Sequence, residues 1–521
     1  MAKKAEGKKT MAEKLSALSA KRAELELGGG QERIEKQHAG GKLTARERVA
    51  RLVDAGSFQE IGVFAKHRST YFGMAEKEIP ADGVVTGCAK IDGRQVHLAS
   101  QDFTVVGGTA GETHNDKVVD MMRLSLKTGS PFVFINDSGG ARVQEGIDSL
   151  AGYGRVFYHN VLLSGVVPQI SLICGPCAGG AVYSPALTDF VIQTEQARMF
   201  ITGPLVIKQV TGEVVSAEEL GGPHAQMNSG VVHLIARDDE DAVQLCRRLL
   251  SFLPANNLED APRLDYHLPL EPDAEMGGIV PVDNKAIYDV RDVITRVLDY
   301  RDFFEIQSGF AANIVIGFGR LQGRPVGIIA SQPNCLAGVL DINASDKSAR
   351  FVRFCNAFNI PLITFVDVPG FLPGVEQERG GIIRHGAKLL YAYSAATVPK
   401  ITVVLRKAYG GAYIAMCCKD LGADRVVAWP TAEIAVMGAE GAAEIVFRRE
   451  IDAASDKAAR RKELVDEYRE TFSNPFVAAG RRLVDDIIDP AETRKVLAEA
   501  LESLHMKREL RPQKKHGLIP L

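Results

Sequence analysis

From about Gly83 the chain alternates short apolar runs with longer segments of helical periodicity. Gly83 to Lys90, Gln95 to Ser100, Pro131 to Asn136 and Pro168 to Cys174 lack the strict in-and-out alternation of a strand with one wet face, so they predict strands covered on both sides. Asn115 to Lys127 and Ser149 to Ser164 predict helices between them. The same order returns later, with strands over Ile314 to Arg320, Val326 to Ser331, Pro361 to Asp367 and Lys400 to Leu405, and helices near Lys347 to Asn359 and Gly380 to Ala396. Strand, crossover helix, strand is the α/β signature. Upstream, Met11 to Leu27 reads as a helix stopped by Gly28-Gly29-Gly30, and Thr44 with Glu47 forms a capping box that opens another helix ending near Gly56. Downstream, a helical tail is expected over Pro490 to Leu510, ending in the basic run Lys507 to Lys515.

The two halves also share residues in register. Gly93-Arg94 and Ala99-Ser100-Gln101 return about 230 residues later as Gly323-Arg324 and Ala330-Ser331-Gln332. Lys117 falls opposite Lys347, Pro131 opposite Pro361 and Asp137 opposite Asp367 at 230, and Gly179-Gly180 opposite Gly410-Gly411 at 231. Asp189 and Gly203 match Asp424 and Gly438 at 235. That period far exceeds the 20 to 50 residues of solenoid repeats, so it predicts two homologous domains. The boundary is expected between Pro254 and Gly278, where Pro254, Pro262, Pro269 and Pro272 break regular structure. This gives a helical extension over residues 1–30, a first domain over 31–270 and a second over 271–521.

Composition agrees with a two-domain globular protein, since 46% of the 521 residues are hydrophobic. A formal net charge of -3 gives no long-range reason to expect nucleic acid or an acidic membrane. The eight cysteines lie mostly in apolar stretches, no signal-peptide pattern is visible, and no run reaches roughly 18 uninterrupted apolar residues. A cytoplasmic protein without a membrane span is expected.

The candidate chemistry follows the strands. In the first copy Phe132 to Asp137 runs into Ser138-Gly139-Gly140-Ala141-Arg142, and Ile170 to Cys174 into Gly175-Pro176-Cys177-Ala178-Gly179-Gly180. In the second, Leu362 to Asp367 runs into Val368-Pro369-Gly370-Phe371, and Ile401 to Leu405 leads to Tyr409-Gly410-Gly411-Ala412. Backbone N–H groups can converge at such strand ends, and a following helix N-terminus favours anions. A single glycine pair is most often a tight turn. Four matched sites in two register-locked copies point instead to oxyanion holes. No nucleophile elbow, phosphate-binding P-loop or metal-ligand cluster is legible, so backbone donors are the expected apparatus.

Ser138 to Arg142, Gly175 to Ala186 and Ala428 to Gly438 (AWPTAEIAVMG) resemble the carboxyltransferase (beta) subunits of biotin-dependent acyl-CoA carboxylases, the propionyl-CoA carboxylase type above all. The resemblance covers nearly the whole chain from about Met11. It implies two tandem crotonase-like (ClpP/crotonase) domains and a homo-hexamer, a dimer of trimers. It implies a ligase-type enzyme that takes a carboxyl group from carboxybiotin to a short-chain acyl-CoA. Biotin then arrives on a partner: a biotin carboxylase with a biotin carboxyl carrier protein, or a fused alpha subunit. By the same resemblance, amides near Gly140, Ala141, Gly179 and Gly180 cradle the thioester, and amides near Phe371, Gly411 and Ala412 cradle biotin. Ile414 matches the position that sets acyl-chain preference, where many propionyl-CoA enzymes have Asp. The stretch Ile414 to Cys418 also resembles subunits of methylmalonyl-CoA decarboxylases and transcarboxylases.

Several features compete with that reading. Cys174-Gly175-Pro176-Cys177 has dithiol spacing, but without a thioredoxin-sized unit around it. Ala415-Met416-Cys417-Cys418-Lys419 lacks the Met-Lys pair of a biotin attachment site, and no glycine-rich ATP-binding signature is visible. His114, His159, His224 and His385 are scattered, and Lys117 and Lys347 read as structural. Arg142, Arg155, Lys208 and Arg448 are candidates for the CoA phosphates. A biotin-independent crotonase-like enzyme and a non-catalytic scaffold are the remaining alternatives.

Overall fold

The structure, a computed structural model, describes residues 9–265 and 268–521, so most of the lysine-rich start lies outside the described residues. Two compact units divide after Ser251.

In the first unit an eight-stranded sheet is built from β1 (Gln59–Glu60), β2 (Val84–Ile91), β3 (Arg94–Gln101), β4 (Phe132–Ser138), β5 (Gln169–Ala178), β6 (Phe190–Thr194), β7 (Arg198–Phe200) and β8 (Leu234–Ala236). Its order is β1-β2-β3-β4-β5-β6-β8, with β7 on the far end of β5. The β1–β2 and β2–β3 pairs are antiparallel and the rest parallel. The second unit repeats this with β9 (Phe303–Ile306), β10 (Ile314–Leu321), β11 (Arg324–Ser331), β12 (Leu362–Val368), β13 (Lys400–Tyr409), β14 (Arg425–Ala428), β15 (Glu433–Ala435) and β16 (Asp486–Ile487), in the order β9-β10-β11-β12-β13-β14-β16 with β15 on β13.

The correspondence holds residue by residue. Phe132 pairs with Gln169 where Leu362 pairs with Lys400, and Ser138 pairs with Cys177 where Val368 pairs with Ala408. β5 and β13 run four residues beyond the expected ends at Cys174 and Leu405. Their extensions are held by β7 and β15, short strands that return from much later in the chain.

The crossover helices Glu112–Thr128 and Ile147–Leu163, with their counterparts Ile342–Ala357 and Ile382–Ala395, lie within two residues of most of the expected bounds, except at two N-termini. They bury Val118, Met122, Val156 and Leu163 against Phe132 and Phe134 in the first unit. In the second unit Val326, Ile328, Phe365, Val403 and Trp429 form one cluster with the helices Val290–Val297 and Thr493–Ser503. Each such fully buried side chain contributes about 1.5–3 kcal/mol.

Lys117 and Lys347 stitch the first crossover helix of each unit to its edge hairpin. Lys117 Nζ donates to the carbonyls of Ala81 and Val84, and Lys347 Nζ to those of Ala311 and Ile314, the matching positions.

Upstream, the expected capping box of Thr44 with Glu47 forms, and Thr10 with Glu13 forms a second one at the start of the first helix. A helix over Gln31–Ala39 lies between them, in a segment whose single apolar periodic residue, Ile34, gave no helical signal. The expected tail helix is shorter, Thr493–Ser503 after a 3-10 turn. Beyond it Lys507 Nζ bonds Val398 O at 3.1 Å and Asp424 Oδ2 at 2.8 Å, drawing the chain onto the start of β13.

Candidate active site

In the first unit, the chain leaving β4 turns at Gly139 and Gly140 and is pinned to the loop after β3. Gly139 N–H donates to Gly107 O, Ala110 N–H to Gly140 O and Arg142 N–H to Ala110 O, each at 2.9 Å, with Ala110 bridging Ala141. Gly140 adopts φ +96, and a Cβ there would lie 3.1 Å from Ala178 O. This contact sets the end of β4 against the end of β5, so Gly140 and Ala141 are brought beside Gly179 and Gly180. Gly179 to Val182 form a 3-10 turn that continues into the helix Tyr183–Leu187. The first amides of such an element have no partner within it and point outward from its start.

The second unit builds the same corner. Leu340 bridges Phe371 as Ala110 bridges Ala141, and Leu340 N–H donates to Gly370 O at 3.0 Å. The Phe371 ring lies beside Gly411, where a Cβ would stand 3.8 Å from Cε2. Gly411 is exposed and Ala412 fully buried in the first turn of the helix Gly410–Ala415. Ile414, on that helix, is 44% exposed.

Gly179 (φ +63) and Gly410 (φ +59) hold the same left-handed conformation, which turns each strand into its helix and disfavours any side chain. Gly180 is different: its φ is ordinary, and a Cβ would meet nothing within 4 Å. Neither backbone strain nor packing in the free chain explains a glycine there. The register of the copies makes Ala181 the counterpart of Ala412, and Gly370 the counterpart of Gly140. Both follow from the 231- and 230-residue spacings of the sequence. Gly140 N–H donates to Ser138 Oγ at 3.0 Å, so that amide is engaged inside the turn.

Behind each corner sits a buried carboxylate. Asp137 accepts from Gln37 Nε2 at 3.1 Å, Lys42 Nζ at 2.8 Å and Arg48 Nη1 at 2.8 Å. Asp367 accepts from Arg406 Nε and Tyr288 Oη, each at 3.0 Å. Arg142 is buried between Asp82 and Glu145, with Nη1 2.5 and 2.7 Å from them, and its guanidinium is a fixture of the corner with no face for a CoA phosphate. Arg155 pairs with Asp116 at 2.9 Å, while Lys208 and Arg448 are exposed.

Nor do the histidines or the thiol pair offer a base or nucleophile here. His114 is held down to about 3 by burial and by Arg142. His159 Nδ1 donates to Arg155 O at 2.7 Å. His385 bonds Asp346 at 2.8 Å on the paired crossover helices, and His224 is exposed. Cys174 and Cys177 are fully buried, and burial pushes Cys177 up to about 12 and Cys174 well above the ordinary thiol range. Among the described residues, no group of three or more His, Cys, Asp or Glu is placed to hold a metal ion.

The same two-sheet fold recurs in known proteins. The carboxyl transferase domain family matches residues 36–519. The chain belongs to the carboxyl transferase family. It is 61% identical over 512 residues to the methylmalonyl-CoA carboxyltransferase 12S subunit of Propionibacterium freudenreichii subsp. shermanii, covering 98% of both chains. The alpha subunit of methylmalonyl-CoA decarboxylase from Veillonella parvula is 56% identical, with 98% of this chain and 100% of that protein covered. The propionyl-CoA carboxylase beta chain of Saccharopolyspora erythraea is 53% identical, with 98% and 96% covered. A solved transcarboxylase 12S structure, described as a hexamer assembly with methylmalonyl-coenzyme A and methylmalonic acid bound, superposes with a TM-score of 0.97 at 60% identity over 100% of both chains. The fold is thus the α/β pair of crotonase-like domains that the motifs implied. Among the described residues, no helix of this carboxyl transferase family member is long and apolar enough to cross a membrane.

Proposed function

We propose that the protein is the carboxyltransferase component of a biotin-dependent acyl-CoA carboxylase, moving a carboxyl group from biotin on a carrier protein to the α-carbon of propionyl-CoA, acetyl-CoA or a similar short acyl-CoA. The observation that carries this reading is the doubling of one strand-end corner, with open space over Gly180 in the first unit and an exposed Gly411 beside the Phe371 ring in the second.

The reaction has two carbonyls that gain negative charge, and each unit offers donors to one. In the first, amides at Gly179 and Gly180, with the Gly140-Ala141 turn beside them, receive the thioester oxygen as the α-carbon loses its proton. Each such donor is worth about 100- to 1000-fold in rate. The missing side chain at Gly180 lets the thioester approach the backbone. In the second, the flat Phe371 ring and the first amides of Gly410–Ala415 suit a planar urea with one anionic oxygen, so Phe371, Gly411 and Ala412 would hold biotin. Biotin, when bound, supplies the carboxyl group and afterwards the base that takes the α-proton. The chain then needs no general base of its own, in keeping with a neutral, buried His114.

Partners follow from this chemistry: a biotin carboxylase with a carrier protein, or a fused alpha subunit. A homo-hexamer would cover the apolar face of Ile147–Leu163, where Ile147 is 74% and Val161 61% exposed. The alternative partner set, that of a methylmalonyl-CoA decarboxylase or transcarboxylase, uses the same half-reaction, and subunits of such enzymes are 61% and 56% identical to this chain beside 53% for the propionyl-CoA carboxylase beta chain.

The test is carboxyl loss from methylmalonyl-CoA by the purified chain, with and without free biotin. Loss that requires biotin supports the proposal. Equal loss without biotin would make this a crotonase-like decarboxylase, and no loss in either case a docking scaffold.

A further inference from the structure

The first hairpin carries a polar relay that the second half of the molecule does without. Cys88 on β2 and His97 on β3 are directly opposed across an antiparallel pair, with Cys88 Sγ 3.1 Å from His97 Nδ1. The other ring nitrogen, Nε2, lies 2.9 Å from Thr128 Oγ1 at the end of the helix Glu112–Thr128. The Thr128 hydroxyl proton has acceptors of its own, Leu124 O at 2.9 Å and Ser130 Oγ at 3.1 Å. Its oxygen therefore accepts the Nε2–H, and the Nδ1 lone pair faces the Cys88 thiol. A nucleophile, a base within hydrogen-bond reach and a third group fixing the base's tautomer make up an activated-nucleophile arrangement.

The fold does not require this relay. The corresponding residues of the second unit are Phe318, Gly327 and Phe358, with Phe318 opposed to Gly327 in the same hairpin register. There the Phe318 ring packs on Phe351 at 5.1 Å in a wholly apolar cluster. The second unit fills these positions without polar side chains, so the hairpin register itself does not demand the relay.

The thiol is also reachable. Cys174, Cys177, Cys246, Cys355, Cys417 and Cys418 are buried, whereas Cys88 and Cys335 are half-buried. Cys88 lines a surface cavity of about 410 Å³ together with Asp54, Ser57, Gln59, Lys90 and Gln95.

We propose that Cys88, with His97 as its base, is a covalent modification site for α,β-unsaturated carbonyl compounds. The sulfur bonds the β-carbon as the thiol proton passes to His97 Nδ1. The π pair shifts to give an enolate, whose α-carbon then takes the proton back from Nδ1, so no group leaves and no oxidant is needed. Burial raises the Cys88 thiol and lowers His97, so the pair rests neutral and the proton moves as the S–C bond forms.

The experiment treats the full-length protein at neutral pH with limiting N-ethylmaleimide and follows each cysteine by peptide mass spectrometry. Cys88 is expected to be labelled first, and His97→Phe to slow that labelling about 100-fold. Thr128→Val keeps the imidazole but loses its orienting oxygen, and is expected to slow Cys88 by about 10-fold, a fraction of the full general-base effect. Labelling of Cys335 ahead of Cys88 overturns the proposal, as does an unchanged Cys88 rate in both variants. Should His97→Phe fail to fold, as judged by circular dichroism, the comparison with Thr128→Val decides alone.

Discussion

Arg406 occupies in β13 the strand position that Gly175 occupies in β5. Both face a buried aspartate at the end of the neighbouring strand. Arg406 neutralises Asp367 from within the sheet, its Nε 3.0 Å from Oδ2. At Gly175 a Cβ would stand 1.9 Å from Asp137 Oδ1 and 2.7 Å from Lys42 Nζ, so the space is given to cations arriving from outside the sheet. Lys42 and Arg48 come from the helical segment that precedes the first repeat. One carboxylate, kept in both copies, has thus acquired two unrelated sets of counter-ions.

That difference predicts unequal consequences of mutation. Arg406→Met leaves Asp367 buried without its guanidinium and is expected to cost about 3–5 kcal/mol, the usual penalty for breaking a buried pair. Lys42→Met leaves Arg48 on Asp137 and is expected to cost less than half as much. Denaturant midpoints of the two variants check the ranking, and equal losses would contradict it.

Gly180 and Gly179 separate function from folding. Gly180→Ala places a methyl in open space at an ordinary φ, so unfolding should shift by no more than about 0.5 kcal/mol. Carboxyl transfer should nonetheless fall at least about tenfold, because the methyl occupies the approach of the thioester to the amide donors. Gly179→Ala is strained at φ +63 and should cost about 1–2 kcal/mol in stability. An active Gly180→Ala enzyme would remove this corner from the reaction.

His114 predicts an acid limb of stability. Its Nδ1–H donates to Asp82 O at 2.9 Å, and its Nε2 accepts from Gln101 Nε2 at 3.3 Å, an amide whose oxygen in turn accepts from Asp137 N–H. Protonation would set two donors face to face. With the folded value held down to about 3 against 6.5 for the ordinary imidazole, the unfolded chain binds the extra proton between those limits. The contribution of His114 to stability is therefore fully present above pH 6.5 and is lost as pH falls toward 3. Parallel pH titrations of unfolding should show a shallower decline over that window in His114→Gln than in the native protein.

Ile414 is expected to tune acyl choice without supporting the fold, since its side chain is 44% exposed. Ile414→Asp should change the ratio of kcat/KM for propionyl-CoA over acetyl-CoA by about 10- to 200-fold, the range for a methylene in an apolar pocket. Thermal unfolding should stay near the native value. A shifted melting temperature with an unshifted ratio would assign Ile414 to packing.

The elements and their duplication are legible along the chain. Apolar runs without alternation mark the buried strands, and the 230-residue register matches Asp137 to Asp367 and Lys117 to Lys347. The chain also carries the strand-end glycines, because tight turns and ligand approach leave glycine as their trace. Which groups meet is settled only by packing. Gln31–Ala39 has little helical pattern, yet it brings Gln37 to Asp137, a contact spanning 100 residues. The extensions of β5 and β13 depend on β7 and β15, partners that no local periodicity identifies. Arg142, a plausible phosphate ligand as a letter in a motif, is buried against Asp82 and Glu145. Cys88, His97 and Thr128 are unremarkable along the chain and become a relay only when a hairpin and a helix end converge. Local pattern records burial and backbone conformation, which each residue feels directly. Pairing between distant charges is set by packing, and the chain records it only once folded.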